Sequence, residues 1–141
     1  VAEALGIMAT PQAREAEILS KAHAMTDVTG FGLAGHVQAI CRASGLAAEL
    51  WGEAVPIYPG AQTLSDQGVA SSLLAVNQAD APIAAAGPVN PLFHDPQTAG
   101  GLLAALPEDA AKAAQARLKA EGLAGHIIGR LEAGATSIRL R

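Results

Sequence analysis

Aromatic residues are almost missing from this sequence. Phe31, Phe93, Tyr58 and Trp51 are the full set, so the core cannot be organised around large rings and must be built from aliphatic and small side chains at close packing. Cysteine is nearly missing too. Cys41 stands alone, which excludes an internal disulfide and suits a reducing compartment, so a cytoplasmic protein is expected. Positive charge is neither abundant nor clustered: the formal net charge is −4, and a nucleic-acid partner, which would need a cationic stripe, is not expected. No apolar run approaches the roughly 20 residues of a membrane span, and no secretory leader pattern is visible, so no membrane partner is expected either. Internal repeats and low-complexity linkers are absent.

What the chain does have is alanine, glycine and aliphatic side chains. Half of its 141 residues are hydrophobic. That length reads as a single domain, residues 1–141, able to bury about two-thirds of its unfolded surface. The sequence opens at Val1 in mid-pattern, which reads as a C-terminal-type piece of a longer chain, with part of any active site supplied from elsewhere.

Local patterns place the elements. Pro11 opens an expected helix over 11–22. Residues 23–28, HAMTDV, read as a short buried strand. Residues 33–44 read as a helix with Leu33, Val37, Ile40 and Cys41 on one face and Gly45 as its stop. A strand is expected at 46–51, and helix in two parts, broken near Gly68, over 61–79. The proline-punctuated stretch from Ala79 to Pro96 reads as irregular, and GGLLAALP as a buried strand. The clearest helix runs from Pro107, with Glu108 and Asp109 in its first turn, to a stop at Gly122. Two strands around a turn at Gly134 close the chain. Helices and strands interleaved over the full length predict an α/β (α+β) fold, a mixed β-sheet packed by helices.

MTDVTGFGLAGHVQ, residues 25–38, places Gly30, Gly32 and Gly35 in G-x-G-x-x-G spacing. The glycines follow an expected strand and open an expected helix. Glu49 lies at about the 20-residue distance at which a ribose-binding acid is expected. On spacing alone this is a dinucleotide-binding unit. Asp27 argues against it, because a carboxylate beside the glycine turn would repel a pyrophosphate held on bare backbone N–H groups. A divalent cation between them removes the conflict: Mg²⁺ prefers oxygen ligands and is held by one or two carboxylates together with substrate phosphates. The competing structural reading is that Asp27 caps the turn or the helix, with Thr29 helping.

A second stretch, FHDPQTAGGLLAALP at 93–107, joins Asp95-Pro96-Gln97-Thr98 to Gly100-Gly101. Together with AHAMTDVTGFGLAGH at 22–36 it closely resembles the selenide, water dikinase (selenophosphate synthetase) family, whose C-terminal half carries both motifs in this order. The resemblance runs from about His23 through HIIGR to the end. It implies a fold like the C-terminal domain of aminoimidazole ribonucleotide synthetase, in which G-x-G-x-x-G is only a look-alike of the dinucleotide fingerprint. It also implies a reaction in which ATP, selenide and water give selenophosphate, AMP and phosphate with Mg²⁺. Carried over by position, Asp27 is a metal ligand, and Thr29, Gly30 and Gly32 line the phosphate end of the site. Asp95, Gln97 and Thr98 belong to the second signature, with a binding or an architectural role. The N-terminal domain of that family supplies the catalytic Cys or selenocysteine, a Lys, further aspartate ligands and most of a homodimer contact. None of these is present here, so no catalytic residue is expected in this fragment. The chain also departs from the family. The stretch that usually holds Arg before an asparagine reads GVASSLLAVNQAD, keeping Asn77 without the basic residues. That departure keeps open a diverged, non-catalytic binding or architectural module of a fused protein, and behind it the dinucleotide-binding domain.

The remaining candidates have plainer readings. Cys41 is a small core residue. His23 and His36 lack partners at zinc-ligand spacing and are read as hydrogen-bonded to backbone. His94, beside the DPQT turn, is expected to face solvent or ligand, and His126 to sit at the surface. Trp51 and Tyr58 are read as packing down a proline-containing loop.

Overall fold

The helix with the cleanest apolar stripe forms as expected. In the computed structural model, which describes residues 2–141 and leaves Val1 outside, it spans Gly32–Ser44 (α3) and buries Ala34, Val37, Ile40 and Cys41. Gly45 ends it in the left-handed region at φ 65°, returning its N–H to the carbonyl of Cys41. The chain enters the next strand at once. Preceding α3 are two short helices, Ala2–Met8 (α1) and Ala13–Ile18 (α2), and the strand Ala24–Asp27 (β1). After it come Leu46–Leu50 (β2), Ala61–Asp66 (α4), Leu74–Asp80 (α5), Ile83–Ala84 (β3), Leu102–Ala105 (β4), Glu108–Ala120 (α6), Gly129–Ala133 (β5) and Ile138–Leu140 (β6), with 3₁₀ turns at Gly52–Ala54 and Pro91–His94. None of these helices is long and apolar enough to cross a membrane.

The mixed sheet has four strands in the order β3-β6-β2-β5. β5 runs antiparallel to β2, whereas β6 runs parallel to both β2 and β3. α3 lies against this sheet, and Ala34, Val37, Cys41, Ala48, Leu50, Ala81 and Ile138 form the main core. Three of the seven are alanines, as a chain so poor in aromatics requires if helix and sheet are to close up without voids. Cys41 is fully buried, and burial pushes its thiol pKa up, away from the thiolate. It is a core residue, as the sequence suggests. A second cluster, Ile18, Ala114 and Leu118, joins α2 to α6, and the Arg14 guanidinium donates to Glu121 at 2.7 Å across the same pair.

Several expectations need correction. The helix over 11–22 shortens to Ala13–Ile18, because the chain must turn through Leu19–Ala22 to enter β1. α1 carries no recognised sequence signal. β1 is half exposed rather than buried, with Met25 at 42% exposure. The proline-rich stretch contains the two-residue β3 and a 3₁₀ turn. The last two strands form around Gly134 but do not pair with each other. They flank β2, and residues 134–137 step over its start, where the Ala48 N–H donates to the Ser137 carbonyl at 2.8 Å.

The sheets are also two rather than one, and this decides the meaning of the glycines. Among the described residues β1 pairs only with β4, antiparallel, in a two-stranded sheet of its own. A dinucleotide-binding βαβ unit needs the strands on either side of its helix parallel in one sheet. β1 and β2 are not, so the G-x-G-x-x-G here is a look-alike. Glu49 is engaged elsewhere: it accepts from the Trp51 indole at 3.1 Å and faces Arg130 and Arg141. The indole hydrogen bond first, and then the charges of Arg130, Arg141 and Arg139, hold its carboxyl below the ordinary range against the opposing effect of desolvation. A carboxyl with a lowered folded pKa stabilises the fold above its unfolded pKa and loses that stabilisation as pH falls through the folded value. Glu49→Gln is therefore expected to flatten the acid limb of stability below about pH 4 to 5. A thermal midpoint followed against pH would show it, and an unchanged acid limb would contradict the assignment.

Candidate functional site

β1 delivers Asp27 to the end of the two-stranded sheet, opposite Leu102 at the start of β4. The two motifs, far apart in sequence, meet here. The Val28 N–H donates to the Gly101 carbonyl and the Gly100 N–H donates back to the Val28 carbonyl, both at 3.0 Å. The Thr29 carbonyl accepts from the backbone N–H groups of Gln97 and Gly32, each also at 3.0 Å. DVTGFG and DPQTAGG are thus stitched into one structure.

The stitching explains two of the glycines. A Cβ on Gly100 would lie 2.3 Å from the Val28 carbonyl oxygen. Gly32 has φ +66°, and a Cβ on it would lie 2.6 Å from the His94 carbonyl carbon. Gly30 is different: its φ is not in the left-handed region, and a Cβ there would meet nothing within 4 Å.

Asn77, on α5, locks the two motifs from beneath. It is 5% exposed, and its amide nitrogen donates to the Gly30 carbonyl at 3.0 Å and the His94 carbonyl at 2.9 Å. His94 is not at the surface, contrary to expectation. It is 3% exposed, with ring Nε2 2.9 Å from the Ala81 carbonyl and therefore donating to it. The apolar run Pro91-Leu92-Phe93 turns under α3 and carries His94 inward. His36 does bond to backbone: its Nε2 accepts from the Thr29 N–H at 3.0 Å and lies 3.2 Å from the Thr29 hydroxyl. Phe31 is exposed, 5.8 Å from the His36 ring and beside a groove of about 360 Å³ between α3 and α5.

Asp27 is exposed at the mouth of this assembly. It does not cap the helix: among the described residues no side chain caps the N-terminus of α3, and the Thr29 hydroxyl is turned to His36. The positive end of this 13-residue helix, which begins a short turn after Asp27 in the chain, is therefore left without a side-chain acceptor. Among the described residues no group of three or more His, Cys, Asp or Glu is placed to hold a metal ion.

The second motif contributes Gln97, whose amide donates to the Asp95 carbonyl at 3.2 Å, an exposed Thr98 and a half-buried Asp95. Burial raises the Asp95 pKa. A carboxyl raised in the folded state costs stability once pH passes its unfolded value, and the cost persists above the folded one. Asp95→Asn should raise the thermal midpoint at neutral pH, with the gain vanishing below about pH 4. A loss of stability at neutral pH would mean that the carboxylate is bound by something worth more than its desolvation.

Residues 3–140 match the family described as AIR synthase related protein, C-terminal domain. The match extends over α1 and α2, ahead of the motifs that carry the resemblance. Curated relatives include a selenide, water dikinase from Cronobacter sakazakii, 42% identical over 77% of this chain and 32% of the relative. Another, from Pseudomonas straminea, is 35% identical over 85% of this chain and 36% of the relative. A third, from Citrifermentans bemidjiense, is 36% identical over 97% of this chain and 42% of the relative. The chain spans between about a third and two-fifths of the length of these relatives. With its α/β fold and the match running almost end to end, the chain belongs to the AIR synthase related family, C-terminal domain.

Proposed function

We propose that this chain is the C-terminal domain of a selenide, water dikinase, an ATP-dependent phosphotransferase that makes selenophosphate, AMP and phosphate from ATP, selenide and water. The observation that carries the reading is the exposed Asp27 at the end of β1, in a segment that is bonded through Val28 and Thr29 to the second motif and leads into the N-terminus of α3. In this reading Asp27 supplies one ligand to Mg²⁺, and Thr29, Gly30 and Gly32 line the phosphate end. Gly30 supports it, because nothing in the fold requires a glycine there and a bare backbone admits close approach of a ligand. Asp95, Gln97 and Thr98 belong to the turn that bonds to Thr29 through the Gln97 N–H, with a binding or an architectural role. When bound, Mg²⁺ neutralises charge on the phosphate oxygens. The helix end adds a fixed positive field, and Asn77 and His36 hold the loop still. The nucleophile and remaining ligands come from an N-terminal domain, which also carries most of a homodimer contact in a cytoplasmic enzyme.

The test is phosphorus NMR on the full-length protein with ATP, Mg²⁺ and selenide, comparing Asp27→Asn with the native enzyme. Selenophosphate from the native protein, lost in the variant, is expected, as is no AMP from the 141-residue chain alone. Absence of product from the native protein would favour a diverged, non-catalytic module. Product unaffected by Asp27→Asn would remove Asp27 as a ligand.

A further inference from the structure

Gln12 sits at the N-cap of α2, with φ −98° and ψ 28°, and makes no capping bond. Serine, threonine, aspartate and asparagine are the residues short enough to reach back to a helix's first amides. The Gln12 side chain goes elsewhere. Its Nε2 donates to the Gly100 carbonyl at 2.8 Å, and its Oε1 accepts from the Leu102 N–H at 3.1 Å. β4 has β1 as its only strand neighbour among the described residues. On its other side, one side-chain amide supplies the donor and acceptor that a neighbouring strand's peptide would have supplied. The segment Gly100–Leu102 is thereby gripped from two directions, by Gln12 and by Val28, the residue between Asp27 and Thr29. The close approach of Gly100 to the Val28 carbonyl leaves no slack between them.

We infer that Gln12 is a positioning residue for the site. It fixes the Gly100–Leu102 turn and, through Val28, the placement of Asp27 and Thr29. This deepens the phosphotransferase reading and rests on it for the roles of those two residues.

The first test uses the 141-residue chain and amide hydrogen exchange by NMR. Gln12→Met keeps the side-chain length and removes both polar groups. The Leu102 amide should exchange about tenfold faster, the effect of losing one such hydrogen bond. Val28 and Gly100 should follow, while Val37 and Ala48 in the core change little. An unchanged Leu102 rate, or equal acceleration at all amides, would overturn the inference. Gln12→Glu is the second variant. Its carboxylate keeps the acceptor but loses the donor, and protonation restores the donor. The Leu102 and Val28 amide shifts should therefore return toward their native positions as pH falls through the carboxyl range, and shifts that stay displaced would count against the clamp. In the full-length enzyme, Gln12→Met should raise the Mg²⁺ concentration for half-maximal selenophosphate formation several-fold, with a smaller change in the saturating rate. If the native protein makes no selenophosphate, the functional reading fails while the exchange result still decides the clamp. If the enzyme turns over and the variant's Mg²⁺ dependence is unchanged, the positioning role fails by itself.

Discussion

Gly32→Ala is expected to lower the thermal midpoint by about 10–15 °C, while Gly30→Ala, two residues earlier in the same motif, leaves it within about 2 °C. At Gly32 two costs combine. An alanine at φ +66° occupies the left-handed region, worth about 1–2 kcal/mol. Its methyl would also lie 2.6 Å from the carbonyl carbon of His94. That neighbour is backbone, fixed by Asn77, and cannot swing aside as a flexible side-chain end would. Separating the two segments disturbs the contact between α3 and the Pro91–His94 turn, adding about 2–3 kcal/mol of overpacking. Gly30 has neither cost. Circular dichroism melts of the two variants decide the matter, and similar midpoints would show that the motif glycines are not divided in this way. If the Gly30→Ala domain is stable yet the full-length variant is impaired in turnover, the bare position serves a ligand.

The division between these glycines shows where sequence reading stops. α3, its stop at Gly45, β2 and α6 were legible because periodicity and end signals are local. The meeting of the two motifs was not, because it depends on β1 and β4 leaving the main sheet to pair with each other. Nor was the placement of β5 and β6 on either side of β2, since a turn at Gly134 fits a hairpin equally well. Asp27, Thr29 and the DPQT turn could be singled out by resemblance. The residues holding them could not: Asn77 was visible only as an asparagine in an altered stretch, and His94 looked like a surface neighbour of a polar turn. Gln12 left no signal, since a helix opened by Pro11 makes it an ordinary first-turn residue and only the structure puts it at the N-cap of α2. Its function depends on a contact 88 residues away.

Asn77→Asp should destabilise the domain more at neutral pH than Asn77→Ala does, and should recover as the solution is acidified. Alanine removes the donor shared by the half-buried Gly30 carbonyl and the buried His94 carbonyl and leaves both short of a partner, at a cost of about 2–4 kcal/mol. Aspartate does worse when ionised, because it sets a carboxylate against those same two oxygens with little solvent to screen it. Its pKa must rise in the folded state. A raised carboxyl penalises the fold at pH above its folded value and relaxes as pH falls toward its unfolded one. Once protonated it can donate one of the two lost bonds. The variant should therefore melt higher at about pH 5 than at about pH 8, measured against the native protein at each pH. A constant difference across that range would mean that Asn77 is not the shared donor. A recovery with pH would establish that the Asn77 amide reinforces the backbone bonds that already stitch DVTGFG to DPQTAGG, holding the Gly30 and His94 carbonyls of the two segments to a single donor.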